Sequence, residues 1–186
     1  MDTKTNETKT KESSSVTLIY TALKSEAQGV IEKLRLRKNP MHDGVSEGAG
    51  IVLLRGGVGE AATKRALESI LKSRRWSIGR AVNIGIAGCS DRSVPVGSLF
   101  CCNRRLPEIA YMPLRSVAAP RSFHEGEATL YDMEAEHFTK AVRPFVPEDE
   151  IYLFKVVSDH LDGFDLSRDE VKKIIAKSVE RWRKYL

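Results

Sequence analysis

The sequence has no membrane-length apolar segment, no pairing pattern of cysteines and no N-terminal signal, and each absence excludes a class of protein. No apolar run reaches the roughly 18 residues that a membrane-spanning helix needs, so no membrane partner is expected. The 3 cysteines show no CxxC or Cys/His spacing, which argues against a zinc site and against a disulfide framework. The polar N-terminus lacks the apolar core of a secretory signal, so we expect a cytoplasmic protein.

The excess of basic residues is small and confined to one segment. The 30 Lys and Arg residues against 25 Asp and Glu residues give a net charge of +5, most of which falls in 167–186. A nucleic-acid-binding surface usually spreads its basic residues over a face with interleaved aromatic side chains. The pattern therefore favours a solvated basic helix face, and no nucleic-acid partner is expected.

The composition is that of a chain that can build a hydrophobic core, since 41% of its residues are apolar and 30% are charged. Its 186 residues correspond to about one domain. Residues 1–15 contain Lys, Thr, Glu and Ser with nothing apolar after Met1, and we predict a disordered tail there. The remainder, 16–186, is predicted to form a single domain.

Strand-like and helical patterns alternate along this domain. Strands are predicted at 16–20, 51–54, 81–84, 98–102, 128–131 and 151–157, and helices at 25–36, 60–72, 133–142 and from Ser167 onward. Ser167 and Glu170 have the spacing of a capping box, which marks the start of the last helix. Segments 39–50 and 103–127 are predicted to be irregular because of their Gly and Pro residues. The alternation predicts an α/β sandwich with a largely parallel central sheet.

Carboxylates and glycines follow the predicted strands, at the edge where such folds bind ligands. Glu26 follows the first strand, Glu134 follows the strand that ends at Tyr131, and Asp159 follows the longest strand. This set favours a ligand with hydroxyls or basic nitrogens over a polyphosphate. Each acid also has a purely structural interpretation, because carboxylates stabilise the first turn of a helix and cap turns.

The segment Gly57–Ala62 (GVGEAA) offers a competing interpretation. It follows a strand and opens a helix, so it partly matches the GxGxxA fingerprint of dinucleotide-binding proteins. That fingerprint also requires an acid about 20 residues further on, at the end of the next strand. Arg74 and Arg75 lie near that place instead, which leaves a nicotinamide-dependent reductase as the weakest of the alternatives.

Taken together and in order, these strand-end segments resemble the nucleoside phosphorylase/nucleosidase superfamily, with the methylthioadenosine/S-adenosylhomocysteine nucleosidases as the nearest branch. The resemblance rests on Thr21–Glu26 (TALKSE), Gly56–Gly59 (GGVG), Asn83–Gly88 (NIGIAG) with Val96 and Gly97, Asp132–Ala135 (DMEA) and Val157–Asp159 (VSD). It covers most of residues 16–165, with a middle segment between Gly97 and Met133 that is shorter than in the family. It implies a three-layer α/β/α sandwich with a mixed, largely parallel central sheet.

The resemblance also implies catalytic roles. Asp159 would be the general acid that protonates purine N7 of the leaving base, provided that its carboxyl keeps a proton near neutral pH. Glu134 would accept hydrogen bonds from the ribose hydroxyls, and Met133 would pack under the sugar. Glu26 would orient and deprotonate the attacking water.

Four further residues complete the implied substrate site. Ala87 and Gly88 would let the backbone approach the ligand closely, and Ser158 would belong to the substrate-binding set. Phe123 is the candidate for stacking on the base, although it is equally well explained as a core or loop phenylalanine. No metal and no cofactor are implied, and a homodimer is expected by analogy with the family.

The nucleophile decides between hydrolysis and phosphorolysis. Phosphorylase members of the family flank the Gly-rich end of the third strand with an arginine and a serine, because phosphate needs a cationic clamp and hydroxyl donors. Asn83 and Ile86 stand at those positions here, and Glu26 would repel phosphate. We therefore predict a nucleosidase that hydrolyses a nucleoside or thio-nucleoside, most readily a purine one.

Two alternatives of the same fold stay open. Arg55 and Arg80 are near the site in sequence and keep a phosphate-dependent phosphorylase under consideration. A nucleoside-binding protein with weakened turnover is the other alternative, although a mere binder has no need of a water-activating acid such as Glu26.

Overall fold

A ten-stranded mixed sheet forms the centre of the computed structural model, which describes residues 15–73, 75–119 and 126–186. Its strands are β1 (Val16–Thr21), β2 (Arg37–Lys38), β3 (Val45–Gly48), β4 (Ile51–Arg55), β5 (Ile78–Cys89), β6 (Leu99–Cys101), β7 (Ala110–Tyr111), β8 (Leu114–Ser116), β9 (Leu130–Asp132) and β10 (Ile151–Asp159). The helices are α1 (Lys24–Leu34), α2 (Glu60–Leu71), α3 (Ala135–Val142) and α4 (Arg168–Trp182), with short 3₁₀ turns at Glu148–Glu150 and Arg183–Tyr185.

The middle of the sheet is parallel, and antiparallel pairs adjoin it on both sides. The strands lie in the order β2-β3-β4-β1-β5-β10-β6-β7, with β9 paired to the end of β5 and β8 paired to β9. The neighbours β4, β1, β5 and β10 all run parallel. β3 runs antiparallel to β4, and β6 runs antiparallel to β10. The predicted mixed, largely parallel sheet is confirmed.

Two helices cover each face of the sheet. α1 and α4 lie on one face, where Val30 and Ile175 join a core cluster with the strand residue Phe154. α2 and α3 lie on the other face, where Leu67 and Phe138 join a second cluster. Because both faces are covered, the central strands carry continuous apolar runs rather than alternating ones. The architecture is therefore the predicted three-layer α/β/α sandwich.

α4 begins as its capping box predicts. The Ser167 hydroxyl accepts a hydrogen bond from the backbone N–H of Glu170, and the Glu170 carboxylate accepts one from the backbone N–H of Ser167 at 2.8 Å. The helix then buries a stripe that includes Val171, Ile175 and Trp182 against α1 and the sheet.

Three predicted segments differ substantially from the structure. The third strand is predicted to end at Ile84 but continues to Cys89. Gly85 and Gly88 therefore lie inside the strand, and the space that a Cβ would occupy at each is close to neighbouring side chains. The predicted loop 39–50 contains β3, which extends the sheet beyond β4. The segment 103–127, predicted to be irregular, contains β7 and β8, two short strands that pair with β6 and β9.

The parallel arrangement brings the carboxyl ends of β1, β4, β5 and β10 to one edge of the sheet. The acids and glycines that follow these strands therefore meet at that edge. None of the helices in the described part of the chain combines the length and apolar character needed to cross a membrane.

Candidate active site

A cavity of about 350 Å³ opens at the carboxyl ends of β1, β5 and β10. Seven of the eight predicted site residues line it: Glu26, Ala87, Gly88, Met133, Glu134, Ser158 and Asp159. The eighth, Phe123, lies outside the described residues. The cavity thus brings together predicted residues that come from four separate segments of the chain.

Glu26 lies in the first turn of α1 and is held by backbone amides. Its Oε2 accepts hydrogen bonds from the backbone N–H groups of Ala22 (2.9 Å) and Leu23 (2.8 Å), and its Oε1 accepts one from Ile86 (2.9 Å). The side chain is only 2% exposed, and this burial raises the pKa of Glu26 while the amide hydrogen bonds act in the opposite direction. A carboxylate accepts about four hydrogen bonds, so a water in the cavity can still bind to Glu26.

Glu134 lies at the N-terminus of α3 and reaches across to the loop before α2. Its Oε1 accepts a hydrogen bond from the backbone N–H of Gly59 at 2.9 Å. Burial raises the pKa of Glu134, and this hydrogen bond opposes the shift. In a dinucleotide-binding protein that amide would face a pyrophosphate. The Glu134 carboxylate already receives its hydrogen bond here, which argues against the dinucleotide interpretation of Gly57–Ala62.

Asp159 ends β10 and is partly buried, with both of its oxygens oriented by donors. The Ser158 hydroxyl donates to Oδ2 at 2.7 Å, and the backbone N–H of Leu161 donates to Oδ1 at 2.9 Å. Leu161 has a left-handed backbone with φ of 63°, and this turn brings its amide back to the carboxylate. The Asp159 carboxyl is therefore held in a fixed orientation in the wall of the cavity.

At Gly88 the backbone lies close to the side chains of Leu161 and Asp159. A Cβ at this position would lie 2.6 Å from Leu161 Cδ2 and 3.0 Å from Asp159 Oδ1. Any larger residue would therefore push on the side chains of Leu161 and Asp159. Ala87, the preceding residue, is buried and also lines the cavity.

No protein-family model matches this sequence, and none of the curated proteins matches it significantly. Solved structures do match. The 5′-methylthioadenosine/S-adenosylhomocysteine nucleosidase of Helicobacter pylori has a TM-score of 0.75 at 13% identity, over 92% of this chain and 97% of that one. This chain therefore shares the α/β fold of that nucleosidase structure.

Other structures of this fold agree. Futalosine hydrolase of Helicobacter pylori gives a TM-score of 0.75 at 13% identity, covering 92% of this chain and 98% of that one. An MTAN of Chlamydia trachomatis bound to MTA gives a TM-score of 0.74 at 14% identity, covering 93% of this chain and 100% of that one. The resemblance predicted from the sequence is thereby confirmed at the level of the fold.

Sequence reasoning missed one residue beneath the cavity, the buried Lys155 of β10. Its ammonium lies 2.7 Å from Asp132 Oδ2, and its side chain is 1% exposed. Asp132 also accepts hydrogen bonds from the Ser116 hydroxyl and from the backbone N–H of Ala135. A lysine in the middle of the apolar run 151–157 was the signal that could have revealed it, since a buried lysine needs a carboxylate partner.

Lys155 is the counter-ion of the site. A Cβ on Gly85 would lie 3.0 Å from Glu26 Oε1 and 3.4 Å from Lys155 Nζ. Because Gly85 has no side chain, both groups can approach the strand closely there. Burial alone lowers the pKa of Lys155, but Asp132, Glu134 and Glu26 together raise it above its ordinary value. The lysine therefore stays charged and offsets part of the negative charge of three carboxylates.

The two arginines that kept phosphorolysis open do not line the cavity. Arg80 is near the start of β5, at the opposite end of the strand, where it binds Glu150 and the backbone carbonyl of Tyr185. Arg55 lies 3.8 Å from Asp43 and lines a different groove.

The shortened middle segment still contributes to the wall of the cavity. Val117, after β8, and Tyr131, in β9, both line it. Val58, Leu23 and Phe164 form an apolar wall, and Val58 and Phe164 are about half exposed, at 49% and 53%.

Proposed function

We propose that the protein is a nucleosidase that hydrolyses the N-glycosidic bond of a purine nucleoside or thio-nucleoside. The observation that carries this proposal is the convergence of Asp159, Glu134 and Glu26 from β10, α3 and α1 on one cavity. Cleaving this bond builds positive charge on the ribose and negative charge on the departing base. Carboxyl groups on opposite sides of the bond can serve both needs, as in other glycoside-cleaving enzymes.

Asp159 is assigned as the general acid. Its carboxyl would donate a proton to N7 of the purine, which makes the base a better leaving group. The hydrogen bonds from Ser158 and from the Leu161 amide would hold it in the orientation that this transfer requires. Ala87 and Gly88, which line the cavity, would let the base lie next to this carboxyl.

Glu134 and Glu26 are assigned to the sugar and to the water. The Glu134 carboxylate would accept hydrogen bonds from the ribose hydroxyls and stabilise the oxocarbenium-like transition state, with Met133 packed under the sugar. Glu26, held by three backbone amides, would orient a water against the anomeric carbon and take its proton. The raised pKa of Glu26 makes it a stronger base than an exposed glutamate.

Water is favoured over phosphate by the charge of the cavity. Among the described residues that line it, none is Lys, Arg or His, whereas Glu26, Asp132, Glu134 and Asp159 are acidic. A phosphate dianion would need a cationic clamp, which these residues do not offer.

The test is chromatographic measurement of free base from methylthioadenosine, S-adenosylhomocysteine, adenosine, inosine, guanosine and uridine, with and without phosphate. We expect base release that does not depend on phosphate. Asp159→Asn should lower kcat by about 10²–10⁴-fold, because it removes the general acid. Asp162→Asn is the matched control, since Asp162 lies in the same loop but pairs with Arg92 outside the cavity.

Three outcomes would contradict the proposal or its assignment of the acid. Release that requires phosphate and yields ribose 1-phosphate would establish phosphorolysis. Absence of release from every nucleoside, together with ligand-dependent thermal stabilisation, would establish a binding protein on this fold. Equal loss in Asp159→Asn and Asp162→Asn would reject Asp159 as the acid.

A further inference from the structure

A second groove lies between α1 and the strands β2, β3 and β4, at the side of the sheet away from β10. It has a volume of about 370 Å³. Among the described residues, none lines both this groove and the candidate active site. Arg55, which the proposed reaction does not use, lies in it. We call it the edge groove.

The register of the strands explains which side chains enter the edge groove. Lys38 of β2 pairs with Ser46 of β3, and Ser46 pairs with Leu53 of β4. Directly paired residues share one face of a sheet, and so do residues two apart along a strand. Leu53 packs in the core cluster of α1 and α4, so Lys38, Ser46 and Arg55 also face that side. Arg37, the neighbour of Lys38, faces the other side.

The edge groove has an excess of positive charge. Three cations line it, Lys24, Lys38 and Arg55, and Asp43 is the one acid among its described lining residues. Three cations against one acid leave a formal charge of +2. Asp43 lies 3.8 Å from both Lys38 and Arg55, and its side chain is 86% exposed, so it holds these cations only weakly.

The floor of the edge groove offers an unused hydroxyl and an apolar surface. Ser46 is 6% exposed, and its hydroxyl makes no hydrogen bond within the described ranges. Buried polar groups normally have a partner, so this hydroxyl is available to a ligand in the groove. Ala27 and Ile31 of α1 and Leu53 of β4 supply the apolar surface beside it.

We propose that the edge groove binds a phosphate monoester that carries a small apolar group. Lys38 and Arg55 would bind the phosphoryl oxygens, and the Ser46 hydroxyl would donate a hydrogen bond to one of them. The apolar group would pack on Ile31 and Leu53. A phosphate monoester carries about two negative charges at neutral pH, which match the charge of the groove.

This inference does not depend on the proposed nucleosidase function, because the edge groove contains none of the residues assigned to the reaction. It can therefore be tested by binding alone, in the complete protein and without turnover. Failure of the nucleosidase assay would leave the prediction for the edge groove as it stands.

The test is isothermal titration calorimetry with phenyl phosphate and with methyl phenyl phosphate, which has the same ring but one negative charge. At about pH 8 the monoester is a dianion, since its second pKa is near 6. We expect its Kd to be about threefold lower than that of the diester, and the difference to shrink as salt is raised. Inorganic phosphate should bind more weakly than phenyl phosphate, because it lacks the apolar contact.

Variants locate the binding. Lys38→Ala and Arg55→Ala should each raise the Kd of phenyl phosphate about threefold, and the double variant should remove most of the preference for the monoester. Ser46→Ala should raise the Kd of both esters by similar factors, about fivefold for one lost hydrogen bond. Arg37→Ala is the matched control, because it removes the same charge from the same strand on the opposite face.

Asp43→Asn gives the test of sign. It removes the acid that competes for Lys38 and Arg55, so the Kd of phenyl phosphate should fall. Equal Kd values for the two esters would overturn the proposal, as would an undiminished preference in the double variant or an unchanged Kd in Asp43→Asn. A Kd that changes in Asp159→Asn would place the phosphate in the candidate active site and would also overturn it.

Discussion

Removing the Lys155 ammonium should destabilise the protein more than any other single charge substitution in the site. Lys155 is 1% exposed and lies 2.7 Å from Asp132, with the carboxylates of Glu26 and Glu134 nearby. Lys155→Met keeps the volume and the apolar stem but leaves these carboxylates without their buried counter-ion. Breaking a buried ion pair by removing one partner costs about 3–5 kcal/mol.

The expected loss is at the lower end of that range. Asp132 keeps two donors, the Ser116 hydroxyl and the Ala135 amide, which still satisfy its oxygens. We therefore expect a decrease of about 3 kcal/mol in the free energy of unfolding, measured by urea denaturation at neutral pH. Lys177→Met, at an exposed position of α4, is the control and should change this free energy by less than about 0.5 kcal/mol.

Two comparisons test the electrostatic cause. The double variant Lys155→Met/Asp132→Asn should be more stable than Lys155→Met alone, because the uncompensated carboxylate is removed with its partner. The difference between wild type and Lys155→Met should also narrow as the pH falls and the carboxyls become protonated. A loss below about 1 kcal/mol, or one that stays the same at all pH values, would refute the assignment of Lys155 as the counter-ion.

Two further predictions concern pH and space in the cavity. Burial raises the pKa of Glu134 above its ordinary value near 4.5. Between the ordinary and the raised pKa, the folded chain holds a proton that the unfolded chain has released. The free energy of unfolding therefore decreases as the pH rises through this window. Glu134→Gln should remove this loss. Thermal unfolding from about pH 4 to 8 should show the Tm of the variant rising relative to that of the wild type across the window, and a constant difference in Tm would contradict the shift. Gly88→Ala should displace Asp159 and Leu161 from the positions where a Cβ would meet them at 3.0 and 2.6 Å. Its kcat/KM for base release should fall by about tenfold or more, with a normal far-ultraviolet circular dichroism spectrum, and unchanged turnover would show that the approach at Gly88 is not needed.

The centre of the fold was predictable because its signals are local and strong. The runs that form β1, β4 and β10 are apolar and end at turns, and parallel strands place their carboxyl ends together. Gly85 and Gly88 show the limit of this reasoning, because glycine usually indicates a turn. Here it marks places inside β5 where another side chain needs the space that a Cβ would occupy.

The missed features depend on partners distant in the sequence. β2 consists of Arg37 and Lys38, both exposed, and no apolar alternation can reveal such a short edge strand. Lys155 was visible as a charge in an apolar run, but its role depends on Asp132, which comes from β9. The proposed dimer, the role of Phe123 and the single-domain boundary at residue 16 stay predictions.

The structural and the catalytic interpretations of the acids turn out to describe the same contacts. Glu26 accepts the backbone N–H groups that precede α1, which is what an acid in a first helical turn does for stability, and these bonds also fix its carboxylate at the cavity. Glu134 likewise binds the amide of Gly59 at the start of α2. A helix-terminal acid therefore comes with its orientation already determined by backbone donors. Two such acids meet at one edge of the sheet, with Lys155 beneath them as counter-ion, and this arrangement keeps three buried carboxyls compatible with a folded chain. Under the proposed function, the sides of Glu26 and Glu134 that face the cavity would contact water and substrate.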